Sequence, residues 1–197
     1  MTLPTLPTLR ITAEHIKDGQ YIGPDVSNYE GNIEIAAKLG WVKFANGVSA
    51  KGYIVAKAGS GIEARSSIKA GSSIEAGWGL EAGDGIKAGS SIKAGSSIKA
   101  GDGVEAGDSI KAGGGLEAGD GIKAGGGIKV GGGIKAGDGI EASFSIHCKV
   151  LSVKLRIFAG LVNWRMPKPG DDVICAEIRS GTVALGTVVS PKIKAAP

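Results

Sequence analysis

Residues that carry chemistry are scarce in this chain. Its 197 residues include two cysteines, Cys148 and Cys175, and two histidines, His15 and His147. No cluster of His, Cys and Asp has the spacing of a metal site, so neither metal nor cofactor is implied. No nucleophile motif occurs, and no Gly-x-x-x-x-Gly-Lys-[Ser/Thr] stands among the 35 glycines, which excludes a phosphate loop. Thr lies only near the termini, which excludes the flat threonine arrays of an antifreeze solenoid. The net charge of +4 is too mild to require a nucleic-acid partner. Met1 to Arg10 has neither a charged leader followed by an apolar run nor a membrane-spanning length, so the expectation is no signal peptide and no membrane contact. Few cysteines and no leader point to the cytoplasm.

What the chain does have is a period. From Ile62 to Ile146 every sixth residue is Ile, Leu or Val, fifteen positions without a slip. Two residues after each stands Ala, broken only at Val130 and Cys148. A typical unit is Ile92-Lys93-Ala94-Gly95-Ser96-Ser97. Residues two apart share a side of a strand, so Ile and Ala face in and Lys faces out. Gly then turns a corner, through a positive φ or a close backbone approach. Hexads of this kind stack coil on coil around one core. Glycine-rich chains can remain disordered, but such linkers lack strict aliphatic placement. Burying fifteen aliphatic side chains at roughly 1.5–3 kcal/mol each offsets much of the backbone entropy.

Column identity repeats best at eighteen residues. Asp84, Asp102, Asp120 and Asp138 fall on that spacing, each followed by Gly, and so do Ser73, Ser91, Ser109 and Ser145 with only Gly127 interrupting. Three hexads per coil describe an all-β, single-stranded triangular parallel β-helix with an N-terminal and a C-terminal cap. The fifteen hexads make about five coils at about 4.8 Å each. Val42, Val48 and Ile54 extend the period upstream, and the eight-residue step from Ile54 to Ile62 marks an insertion at one corner. The expected organisation is an N-terminal arm and cap over residues 1–41, the core over 42–146 and a C-terminal β cap over 147–197. Gly31 to Ile35 reads as an entry strand, and the proline spacing of residues 1–10 as an extended arm. Val153 to Ile157 alternates like a strand, Trp164 and Met166 add bulk, and Pro167 to Asp171 reads as a turn. Val173 to Val189 reads as two strands separated at Ser180-Gly181, and Val183 to Val189 is apolar enough to pair across a two-fold in a homodimer. Cys148 sits in an alanine column and is read as a small buried hydrophobe with a free thiol.

The outward columns hold the functional information. Glu63, Glu81, Lys99, Glu117 and Lys135 form one face, and Lys69, Lys87, Glu105, Lys123 and Glu141 a second. Their signs mostly alternate, which favours stacking by roughly 0.2–1 kcal/mol per pair. The third reads Glu75, Lys93, Lys111, Lys129, His147. Like charges stacked at Lys93, Lys111 and Lys129 suit an anionic partner, an acidic protein surface first and a phosphate backbone second. The plain alternative is a solvated charge run, screened by salt. Asp84, Asp102, Asp120 and Asp138 form an acidic edge; carboxylate oxygens suit calcium, but one carboxylate per coil with no second liganding residue type favours the plain reading, Asp-Gly corner chemistry with carboxylates taking backbone N–H groups. Trp78 and Phe144 occupy corners otherwise held by Ser, Asp or Gly. Trp78 is a candidate contact anchor, while Phe144 is expected to pack under the C-terminal cap.

The eighteen-residue coil is similar to that of the hexapeptide acyltransferases, but here Lys or Glu follows the aliphatic residue, the small residue comes two after it, and no loop or His interrupts residues 62–146. These departures argue against an enzyme. The Gly-x-Ile-x-Ala rhythm, as in Gly85-Ile86-Lys87-Ala88 and Gly121-Ile122-Lys123-Ala124, resembles the bactofilins over the repeat core. That resemblance implies a right-handed triangular helix and end-to-end assembly. The near-identical hexads and compact size also resemble glycine-rich solenoids of phages and mobile elements. This second resemblance implies a stoichiometric inhibitor of a host defence complex, of the anti-CRISPR or anti-restriction kind. The expected function is a non-enzymatic interaction protein, a rigid rod whose contact residues are Lys93, Lys111, Lys129, Trp78 and the four aspartates.

Overall fold

The structure, a computed structural model, describes residues 5–162, 166, 168 and 170–190. Three-residue strands such as Ile68–Ala70, Ile74–Ala76 and Leu80–Ala82 recur every six residues. In each, the aliphatic residue and the alanine are buried and the Lys or Glu between them faces outward, as alternation along a strand requires. The strands stack in parallel, eighteen residues apart. Ile74 pairs with Ile92, Ile92 with Ile110 and Ile110 with Ile128. Leu80, Ile98, Leu116 and Ile134 form the second stack, and Ile86, Val104, Ile122 and Ile140 the third. The chain is therefore an all-β parallel solenoid with three faces around a narrow aliphatic core.

The corners explain the glycine. From Gly61 to Gly139 no glycine has a positive φ. A Cβ on Gly101 would instead drive into the Gly83 carbonyl oxygen, and one on Gly119 into that of Gly101. Of the two roles open to the repeat glycine, close approach is the one that operates. It lets corner amides bond coil to coil as strand amides do: Gly95 N–H donates to Ala76 C=O at 2.9 Å and Ser96 N–H to Trp78 C=O at 3.0 Å. Corners without this bonding would bury unpaired backbone groups.

The first coils are longer. Ile54 pairs with Ile74 and Val42 with Ile62, twenty residues apart. The two extra residues sit at the corner where Gly59 takes φ +77°. Ser60 is fully buried there. Its Oγ donates to the Ala36 carbonyl at 2.7 Å and accepts from Leu39 N–H at 3.0 Å, satisfying groups that the irregular corner leaves off the ladder.

Upstream, part of the expected arm is a strand. Thr8–Ile11 pairs in parallel with Asn32–Ile35. Two further segments cover the edges of the other faces. The hairpin of Ile16–Lys17 and Gln20–Tyr21 turns through Asp18 and Gly19 at φ 51° and 78°, the left-handed pair a tight hairpin needs. Its Gln20 pairs with Lys43. Residues 26–29 bond to the strand Val48–Ala50, with Tyr29 bridging to Ala50.

After Ile146 the sheets continue with altered spacing. The ten-residue strand Val150–Ala159 carries two faces at once, setting Leu151 on Ile134 and Ile157 on Ile140. It thereby joins those faces into one sixteen-stranded sheet beside the ten-stranded sheet of the lysine face. The next strand is Asp172–Ile174. Val173 then pairs with Ile146, Ile178 with Leu151, Val183 with Ile157 and Val188 with Val173. These four positions are five apart, so the last coil is tighter than the hexad coils. The two strands expected around Ser180-Gly181 are corrected here. Glu177–Leu185 is continuous and passes from one face to the next, with Gly181 at φ +99°. Trp164, Pro167 and Pro169 lie outside the described residues.

Candidate interaction surface

The ten-stranded face carries Glu75, Lys93, Lys111, Lys129 and His147 in adjacent coils, each residue in register with the next. The lysines follow the buried Ile of their strands, so alternation fixes their outward direction. Lys93 is compensated, because its Nζ lies 2.7 Å from a Glu75 carboxylate oxygen. Lys111 and Lys129 form no ion pair among the described residues. The other two faces are different. Lys43–Glu63, Lys99–Glu81 and Lys135–Glu117 pair along one at 3.0, 3.4 and 2.8 Å. Lys87–Glu105 and Lys123–Glu141 pair along the other at 2.9 and 3.6 Å. Lys69, in register with Lys87, is the one lysine of these two columns without an ion pair among the described residues, whereas the lysine face leaves two successive lysines unpaired.

The corner leaving that face adds two residues. Trp78, Ser96, Gly114, Gly132 and Lys149 form one column, each amide donating to the carbonyl of the residue above. Trp78 is 43 % exposed at the end near Glu75, and Lys149 stands at the end near His147. Beside this column a shallow groove of about 530 Å³ runs along Lys93, Lys111, Lys129 and His147, with Gly95, Gly113 and Gly131 along its floor and Lys149 in its lining. Lys149 escapes a reading of the sequence because the step from Ile146 to the next residue of the inward aliphatic column, Leu151, is five rather than six. Its register appears only once Val150 is seen paired with Gly133. Trp41 lies near the same corner. Its ring covers Gly61 and Gly79, where added Cβ atoms would meet it at 2.9 and 2.8 Å. Phe144 is 43 % exposed at the corner entering the lysine face, with its amide donating to Gly126, rather than packed away beneath the last coils.

Asp84, Asp102, Asp120 and Asp138 share the corner between the two ion-paired faces, opposite the lysine face. The structure therefore brings Trp78 to the lysines and sets the aspartates apart from them. Among the described residues these carboxylates take no backbone N–H groups, contrary to the corner reading. Each Asp amide instead donates to the carbonyl one coil above, Asp102 to Asp84 and Asp120 to Asp102, both at 3.3 Å. The side chains are exposed. Among the described residues no three His, Cys, Asp or Glu converge to hold a metal ion.

Compared with protein-family models, curated proteins and solved structures, the chain matches none of them. No helix among the described residues is long and apolar enough to cross a membrane.

Proposed function

We propose that the protein is a non-enzymatic binding module that docks its lysine face on an acidic protein surface. The observation that supports this most is the contrast between faces. Along the other two every lysine but Lys69 is ion-paired from coil to coil, while the successive Lys111 and Lys129, with Lys149 beside them, form no ion pair among the described residues. Stacked like charges cost the isolated protein a little stability, and an anionic partner removes that cost. Trp78 supplies an aromatic anchor at the rim. The acidic edge on the opposite side gives the rod a transverse dipole, which orients an approaching partner and repels it from the wrong side. In its narrower form the reading is a stoichiometric inhibitor of a host defence complex, as the likeness to phage and mobile-element solenoids implies.

Fluorescence anisotropy against labelled polyglutamate and labelled duplex DNA tests the reading. The wild type should bind polyglutamate, more weakly as salt rises. Lys111→Glu with Lys129→Glu should lower that affinity by about tenfold or more, a loss of about 1.4 kcal/mol. Preference for DNA, with a steep salt dependence, would replace the protein partner by a phosphate backbone. Equal binding by wild type and double variant would remove the lysine face from the function.

A second reading is self-assembly of the bactofilin kind or a homodimer, and the last coil favours it. Val188 and Val189 are 47 % and 39 % exposed, and Thr187–Val189 ends its sheet among the described residues. An exposed apolar edge is a template for another chain. Light scattering over a concentration series distinguishes the outcomes. Growing mass supports assembly, a fixed dimer supports a two-fold at this end, and a fixed monomer leaves the binding module alone.

A further inference from the structure

We propose that Cys148 and Cys175 are a cross-linking site, a dithiol that oxidation converts into a disulfide fastening the last coil to the rest of the stack. The two cysteines are 27 positions apart, and the sequence gives no sign that they meet. The register brings them together. Ile146 pairs with Val173 and His147 with Ile174, so Cys148 falls opposite Cys175. The ladder confirms it, since Cys148 N–H donates to Ile174 C=O at 3.0 Å, the bond made by a residue whose partner is one further on. Cys148 continues the inward alanine column, and both cysteines contact the aliphatic core. Both are free thiols.

Neighbouring strands place their Cα atoms about 4.8 Å apart, within the roughly 4.4–6.8 Å span that disulfides use. In-register side chains point the same way, so bond formation draws the Cβ atoms together by about 1 Å. The site can yield, because the strand before Cys148 is only two residues long and 26 residues separate the cysteines along the chain. Burial, reinforced by Cys175, pushes the Cys148 thiol up to about 12, and burial also raises Cys175. At neutral pH both are therefore protonated and slow to react.

Cys148 is half-buried and Cys175 almost fully buried, which sets the order of events. With oxidised glutathione as the oxidant, the Cys148 thiolate attacks one glutathione sulfur and breaks the S–S bond, releasing one reduced glutathione. The Cys175 thiolate then attacks the Cys148 sulfur and releases the second. The two protein thiols are oxidised, one glutathione disulfide is reduced, and the two thiol protons end on the glutathiones. The closed loop runs from 148 to 175, so the cross-link fastens the start of a coil whose strand Glu177–Leu185 is mostly exposed.

The test incubates the full chain with oxidised glutathione, then alkylates and maps peptides without reduction. The expected result is a Cys148–Cys175 cross-linked peptide pair and no alkylation at either position. Cleavage within residues 160–170 should leave fragments that separate only on reduction. Formation should accelerate about tenfold per pH unit below the thiol pKa, following the thiolate fraction. Cys148→Ala and Cys175→Ala should each abolish the link. Cysteines that both remain alkylatable, or a glutathione adduct on Cys148 that Cys175 never resolves, would overturn the proposal.

Discussion

At the scale of single residues, the corner glycines differ sharply in how much room they have. A Cβ on Gly101 collides with the Gly83 carbonyl, whereas one on Gly103 meets the Gly121 carbonyl at 3.1 Å. Gly101→Ala should therefore destabilise by about 1–3 kcal/mol, as overpacking does, and Gly103→Ala by distinctly less. Thermal melts of the two variants side by side check this. Surface charge is a weaker determinant. The Lys135 ammonium hydrogen-bonds Glu117 and holds its carboxyl below the ordinary range. A lowered folded value means that this pair stabilises the protein above the unfolded carboxyl pKa, and that the contribution is lost as pH falls through the folded one. An NMR titration of Glu117 should show a depressed midpoint that returns toward the free value in Lys135→Ala. Because both side chains are largely exposed, removing the pair should leave the melting temperature almost unchanged. At this scale the sequence was informative about type and less so about partner. It placed Lys93, Lys111 and Lys129 in one column, but that Glu75 compensates Lys93 depends on side-chain geometry that spacing does not contain.

At the scale of the strand and the coil, the unit is eighteen residues long and each strand follows the same rule. Deleting residues 102–119 removes one whole coil and joins Gly101 to Asp120, so the three stacks and the aspartate corner stay in register. That variant should fold as a shorter solenoid. Deleting Gly101 alone slips the following hexads by one residue, which exchanges inward and outward positions. That variant should lose the strand signal of the chain beyond the deletion. Far-ultraviolet circular dichroism with limited proteolysis distinguishes the two. The strand Glu177–Leu185 shows where element-level reading falls short. Ser180-Gly181 carries the signature of a turn between strands, yet the parallel ladder to Val150–Ala159 runs through it with register shifts. A corner and a turn use the same residues, and only the partner strand tells them apart.

At the scale of the whole molecule, the rod has two unlike ends and two unlike sides. The N-terminal end is covered by its hairpin and by residues 26–29, whereas Glu177–Leu185 is mostly exposed along its length. Repeat proteins lose structure from weakly buried terminal units. Hydrogen exchange should therefore be slowest in the middle coils, around Ile92–Ala94 and Ile110–Ala112, and fastest in residues 177–189. Equal protection along the rod would contradict this picture. The lysine face and the aspartate corner lie on opposite sides because three hexads complete one circuit. A two-hexad coil would have stacked Asp84 near Ser96 and Asp108 and dispersed both columns.

The sequence by itself determined the solenoid, the coil length and the inward column. Those follow from a period that recurs fifteen times, and burial of every sixth aliphatic residue admits few other arrangements. The spatial relations came only with the tertiary structure. Lys149 joined the Trp78 corner, Cys148 met Cys175, and Val150–Ala159 and residues 172–189 added strands to the same sheets, because after Ile146 the spacing shifts to five, six and then sixteen. Where the period breaks, strand pairing is set by hydrogen-bond satisfaction and burial against the preceding coil, and those contacts exist only between segments far apart in the chain.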